Sequence, residues 1–258
     1  MSVVRHRGMH ALVEHDGRDD AVAVEEPLEI RVDGEPVAVT MRTPGHDEEL
    51  ALGFLVGEGL IDPMRARAAG PTDDFANNVV EVEGPLEREL PTRRFYTSSS
   101  CGVCGKGALD EVAVHAPPVG GDDLRIERGL LAALPDRLRQ AQPEFDRTGG
   151  IHATGLFTPR GELLAVREDV GRHNAMDKVI GWALNQHRLP LSGSVLCVSG
   201  RLSFELVQKA VVAGAPVLVG VGAPTSLAIA LASDRNLTLA GFARGDRVNL
   251  YTGDHRVL

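Results

Sequence analysis

Three short segments, at residues 195–198, 216–221 and 237–242, dictate the architecture of this chain. Residues 195–198 and 216–221 read as buried strands, the second because Val217, Leu218, Val219 and Val221 show no polar alternation, and residues 237–242 read as a last strand. Residues 204–213 and 227–233, which separate them, have helical spacing. Buried strands alternating with helices demand a largely parallel sheet covered on both sides, an α/β architecture. Upstream, residues 151–157 and 163–167 read as strands around a Pro159-Arg160-Gly161 turn, and residues 130–140 and 176–184 as helices.

The first ninety-odd residues have a different character. Leu28, Ile30 and Val32 alternate with polar residues, Asp33-Gly34 supplies a turn, and Val37, Val39 and Met41 resume the alternation, which predicts a hairpin. Asp47-Glu48-Glu49 then places acids in the first turn of a helix carrying Leu50, Phe54, Leu55 and Leu60 and ending near Gly57 or Gly59. Residues 79–82 read as another strand. The expected organisation is a smaller β-rich unit with one helix over residues 1–97 and an α/β domain over residues 98–258. The first twenty residues are charged and weakly patterned, and are expected to be loose. They contain no apolar signal region, and no apolar stretch approaches the roughly 18 residues of a membrane span. A cytoplasmic protein without a membrane partner is expected.

Charge narrows the function. The 258 residues include 27 Lys and Arg against 36 Asp and Glu, a net charge of −9. That balance argues against a polynucleotide partner, which needs a broad basic face. Aromatic residues at 4% leave few stacking platforms for single strands. A small basic pocket for one phosphate-bearing ligand remains compatible.

Three cysteines, Cys101, Cys104 and Cys197, do not make a disulfide framework. Cys197 lies between Leu196 and Val198 and reads as a core residue. The Cys101-x-x-Cys104 pair sits in a loop of Ser and Gly, from Ser98 to Gly107. Zinc would need further ligands, and no second cysteine pair exists, so no metal is expected. A thioredoxin-like dithiol would open a helix after a strand, with larger residues around it. A sulfur-carrying thiolate suits the loop, because Gly and Ser would let sulfur swing between donor and acceptor and the nearby cations Lys106, Arg93 and Arg94 could lower the thiol pKa. Two inert cysteines would more commonly be buried. The Gly105-Lys106 pair lacks the spacing of a phosphate-binding P-loop.

The remaining polar clusters fall at strand ends. His152 follows Gly149-Gly150, and Glu168 to Lys178 brings Asp169, Arg172, His173, Asn174 and Asp177 to a strand-to-helix junction. Ser199-Gly200-Arg201 follows a buried strand and reads either as an anion-binding nest or as the approach to an N-cap at Ser203. Gly222 to Ser226 is another strand-to-helix loop, and Phe242-Ala243-Arg244-Gly245-Asp246-Arg247 follows the last strand, where Arg244 and Arg247 could clamp a phosphate and Phe242 stack on a base. Several such loops on one sheet imply a composite crevice for an anionic ligand.

Taken together, these segments resemble the FdhD family of accessory sulfurtransferases for formate dehydrogenase. The carrying residues run from Ser100 to Gly105, Thr148 to Ala153, Glu168 to Lys178, Ser199 to Glu205, and Asn236 through Tyr251-Thr252, so the likeness covers nearly the whole chain from about Leu28. It implies a cytoplasmic, commonly homodimeric sulfur carrier. A cysteine desulfurase would load Cys101 with persulfide sulfur, with Cys104 assisting. The acceptor would be the molybdenum (or tungsten) bis(molybdopterin guanine dinucleotide) cofactor that formate dehydrogenase needs. The resemblance also implies guanine-nucleotide binding by the loop Phe242 to Arg247, and a cytidine-deaminase-like three-layer main domain. The deaminase zinc chemistry is not implied, because His152 is followed by Ala153-Thr154 and the cysteine pair lies upstream. The alternative is a chaperone that inserts the molybdenum cofactor without moving sulfur; a thiol redox protein is a third reading.

Overall fold

A computed structural model describes residues 5–63, 68–71, 78–87, 117–120 and 123–258 of the chain. Strands β1 (Arg5–Arg7), β2 (His10–His15) and β3 (Arg18–Ala23) form an antiparallel three-stranded sheet. From residue 5 the start of the chain is therefore ordered into strands, contrary to the loose segment expected. Asp16 and Gly17 both take positive φ, 49° and 74°, the geometry of a tight hairpin turn. The charged residues at the start of β3, Arg18, Asp19 and Asp20, are exposed on both faces of the strand.

The predicted hairpin is β4 (Glu26–Val32) and β5 (Glu35–Arg42), turning at Asp33-Gly34. Helix α1 (Asp47–Gly57) follows, then β6 (Ala68–Pro71) and β7 (Val79–Glu83), which complete a sheet of order β5-β4-β7-β6. The chain continues through α2 (Arg128–Gln140), α3 (Pro143–Thr148), β8 (His152–Phe157), β9 (Leu163–Asp169), α4 (Arg172–Asn185), β10 (Val195–Val198), α5 (Phe204–Val212), β11 (Val217–Gly220), α6 (Ser226–Asp234), β12 (Thr238–Arg244) and β13 (Arg247–Thr252).

The largest sheet has the order β13-β12-β11-β10-β8-β9. Only β10–β11 and β11–β12 pair in parallel; the other neighbours are antiparallel. The expected largely parallel sheet is thus mixed. Strands joined by tight turns, β8 to β9 and β12 to β13, must run antiparallel, whereas the crossover helices α5 and α6 permit parallel neighbours. Side chains alternate between two cores. Val195, Cys197, Val217 and Val219 pack with Leu131, Leu134 and Leu138 of α2. Leu196, Val198 and Leu218 face the opposite side, with Met176, Val179 and Ile180 of α4 and Leu206 of α5. Helices therefore cover both faces.

The second of these cores runs on without a break into Leu28 and Ile30 of β4 and Leu50 and Leu55 of α1. Where α1 crosses α4 the backbones nearly touch. A Cβ added at Gly53 would lie 1.8 Å from the Asp177 carbonyl oxygen, and one at Gly181 would lie 1.9 Å from that of Glu49. Alanine in a helix ordinarily gains about 1 kcal/mol over glycine. Here Gly181→Ala should instead destabilise, because the clash is with backbone and overpacking costs about 1–3 kcal/mol or more. A melting temperature that rises in this variant would contradict the close crossing.

Candidate functional site

Strand direction gathers the polar loops. Because β8 opposes β10, and β9 opposes β8, the start of β8 and the end of β9 share an edge with the carboxyl ends of β10, β11 and β12. That edge opens on a cavity of about 500 Å³, within the range of small-molecule sites. The sheet contributes His152, Ser199, Val221, Ala243 and Arg244 to its lining. The opposite wall comes from α2 and α3, through Asp136, Arg139, Gln142 and Phe145.

The backbone there is tightly drawn. A Cβ at Gly222 would meet the Gly200 carbonyl oxygen at 2.8 Å, so only glycine lets these two strand-end loops abut. Phe242 takes a left-handed conformation, φ 52°, at the irregularity between Gly241 and Arg244. Such a conformation costs a non-glycine residue about 1–3 kcal/mol and persists where the surroundings impose it. Its amide donates to the Gly222 carbonyl at 3.2 Å, and its ring stands 50% exposed. Gly245, φ 62°, turns the tip of the β12–β13 hairpin, and its amide donates to Asp136 at 3.3 Å.

Deeper in, Ser199 Oγ accepts from the Ala153 amide at 2.9 Å and lies 3.5 Å from His152 Nδ1. Gly200 sits between His152 and Arg172: a Cβ there would be 3.5 Å from His152 Nδ1 and 3.8 Å from Arg172 Cδ. Arg172 opens α4, and its Nε is buried without a hydrogen-bond partner among the described residues. Gln142 Nε2 is likewise buried and unpaired. Buried donors left unmet cost about 1–3 kcal/mol each, a cost that an acceptor on a ligand offsets. Both histidines are held neutral. Burial, and then the Arg172 guanidinium, lowers His152. Burial, Arg172, Lys209 and His152 push His173 down to about 3. The His173 ring engages Ser203 Oγ at 3.2 Å. Ser203 does occupy the N-cap position of α5, but its hydroxyl makes no capping bond.

The His173 environment predicts a pH dependence. Between pH 6.5 and about 3 the unfolded chain takes up a proton at residue 173 that the folded chain refuses. Stability linked to this group is therefore full above pH 6.5 and falls as pH drops toward 3. Comparing the native chain with His173→Gln isolates it from other titrating groups. The native-minus-variant stability should fall by about 1.4 kcal/mol per pH unit below 6.5. Parallel stability curves in urea unfolding would contradict a neutral buried His173.

Of the residues singled out in sequence, His152, Ser199, Ala243 and Arg244 meet on the cavity, and Arg172 and His173 stand behind them. Arg201, Phe242, Gly245, Asp246 and Arg247 are exposed around the same edge. Cys101 and Cys104 lie outside the described residues. Cys197 is fully buried, and burial raises its thiol far above the ordinary range.

The polar junction from Glu168 to Lys178 proves mostly internal rather than ligand-facing. Asp169 and Lys178 form a fully buried pair at 2.7 Å. Asn174 Nδ2 donates to the Met41 carbonyl at 2.7 Å. Asp177 meets Lys209 at 2.9 Å, and burial pushes its carboxyl up to about 6. Glu168 accepts from the Glu144 and Phe145 amides at 3.1 and 2.9 Å. The α2–α3 wall was not anticipated. Across it the Arg139 guanidinium stacks 4.5 Å over the Phe145 ring and pairs with Asp146 at 2.5 Å.

Residues 23–258 match the model of the FdhD/NarQ family. The sulfur carrier protein FdhD of Streptomyces avermitilis is 54% identical, over 93% of this chain and 90% of the relative. That of Mycobacterium tuberculosis is 50% identical, over 98% and 96%. A crystal structure from Desulfotalea psychrophila, described as a formate dehydrogenase accessory protein, superposes with a TM-score of 0.77 at 26% identity, covering 100% of this chain and 99% of that one.

Proposed function

The chain belongs to the FdhD/NarQ family, and from that premise we propose that it is a sulfurtransferase of the carrier type, serving formate dehydrogenase in the cytoplasm as a homodimer. The Cys101 thiolate attacks the outer sulfur of a persulfide on a cysteine desulfurase. A new S–S bond forms on Cys101, and the desulfurase cysteine departs as thiolate. For delivery the Cys104 thiolate attacks Cys101 Sγ, a Cys101–Cys104 disulfide forms, and the outer sulfur departs as hydrosulfide, its two electrons supplied by the thiols, to molybdenum bis(molybdopterin guanine dinucleotide), held here as the substrate that receives it. We read the mixed sheet as the cytidine-deaminase arrangement, a reading supported by its strand order and by helices on both faces.

The observation that carries the nucleotide half is convergence. His152, Ser199, Ala243 and Arg244 come from separate segments and line one cavity, with Arg172 adjoining. Neutral histidines, an unpaired Arg172 Nε and exposed Arg244 and Arg247 suit a diphosphate, and Phe242 offers a ring to a base. The test is titration calorimetry with guanosine diphosphate. Arg244→Ala should weaken binding about tenfold or more, the scale of one charge-assisted contact. Equal affinity in the variant would remove the cavity from nucleotide recognition.

A further inference from the structure

We propose that the N-terminal strand pair β2–β3 buttresses the α3 wall of the cavity through His10, and so sets the cavity's affinity for its occupant. His10 and Glu144 act as positioning residues. The inference rests on the nucleotide reading above, but it concerns strands that lie almost wholly ahead of the family match.

Helix α3 is a turn and a half long and too short to be stable alone. It is held from three sides, one of them α2, where Arg139 stacks over Phe145 and pairs with Asp146. From the sheet, the Glu168 carboxylate receives the amides of Glu144 and Phe145, its first-turn donors. From outside, His10 Nδ1 on β2 lies 3.0 Å from Glu144 Oε2, and both side chains are largely buried, at 16% and 12% exposure. The other Glu144 oxygen receives Arg147. At the far end of the helix, Ala23 of β3 lies against Gly150, where a Cβ would meet its own at 3.9 Å. What this bracket fixes is the cavity wall itself. Gln142 is the N-cap of α3, Phe145 is in its body, and Gly149-Gly150 follow it, and all four line the cavity. The chain then enters β8 at His152. His10 touches no cavity surface, so its influence on a ligand can pass only through the placement of this wall.

The test uses the full chain with His10→Ala and His10→Asn, the second retaining a donor near the position of Nδ1. Amide exchange across residues 143–150 should quicken in His10→Ala and return toward native in His10→Asn. Guanosine diphosphate binding should weaken about tenfold in the first and recover in the second, the scale of one hydrogen bond to a charged group passed on to the wall. Unchanged exchange over 143–150 would overturn the buttress. Faster exchange with unchanged affinity would overturn its effect on the site. If the native chain binds no guanosine diphosphate, the nucleotide reading fails, and exchange over 143–150 alone decides whether His10 positions the wall.

Discussion

Lys178→Met is expected to cost the fold about 3–5 kcal/mol, the loss typical of breaking a buried ion pair, against a total stability of about 5–15 kcal/mol for a domain. Lys178 Nζ sits 2.7 Å from Asp169 Oδ2, and neither side chain reaches solvent. The ammonium also donates to the Thr43 carbonyl at 2.8 Å. Asp169 in turn accepts from the Thr43 amide at 3.1 Å, the Gly171 amide at 2.8 Å and Asn174 Nδ2 at 3.1 Å. Removing the lysine leaves a buried carboxylate with only neutral donors. An isolated buried pair can often be exchanged for apolar residues at little cost. That escape is closed here, since Asp169→Leu with Lys178→Met would orphan three donors and a carbonyl. Asp169→Asn should also be poorly tolerated, because an amide NH₂ would point at groups that themselves donate. The same carboxylate fixes Gly171, the N-cap of α4, just ahead of Arg172 and His173. Loss of stability in urea unfolding should therefore come with weaker guanosine diphosphate binding by whatever chain stays folded. A cost below about 1 kcal/mol would place the pair in the class of exposed bridges and contradict its burial.

This network also shows where sequence reading reached its limit. Apolar runs locate β10 and β11 well, because unbroken Val and Leu can only be buried. Asp33-Gly34 locates the β4–β5 turn by its demand for positive φ, met here at 47° and 84°. The convergence of Ser199, His152 and Arg244 follows from strand order, since strand-end loops on a crossover sheet open to one side. The density of polar groups from Glu168 to Lys178 suggests a ligand crevice, yet Asp169, Asn174, Asp177 and Lys178 are engaged inside the protein. Composition cannot separate polar groups that satisfy one another inside from those that await a partner, and interiors require the former wherever polar groups are buried. The α3 half of the cavity wall is invisible in the sequence for another reason, although α2 is legible there as the helix at 130–140. Gln142 and Phe145 sit on a helix shorter than two turns, which has no periodicity to read, and packing against Glu168, Arg139 and His10 brings it to the cavity.

Cys101→Ala should abolish sulfur loading and the activation of formate dehydrogenase, leaving guanosine diphosphate affinity unchanged. An alanine methyl cannot form or break an S–S bond, so the expected loss is complete rather than graded. Of the two other sulfur positions, Cys197 cannot substitute. It is fully enclosed between the α2 core and β11, and burial keeps its thiol protonated at neutral pH, whereas exchange requires an accessible thiolate. Loading is read directly by mass spectrometry of the intact chain after incubation with cysteine and a desulfurase: one added sulfur on the native protein, none on Cys101→Ala. Cys104→Ala completes the comparison, because a cysteine that only assists should leave that adduct in place while slowing its delivery. A Cys101→Ala chain that binds guanosine diphosphate normally and still activates formate dehydrogenase would make the protein an insertion chaperone for the cofactor, with the cavity retained and the sulfur chemistry gone.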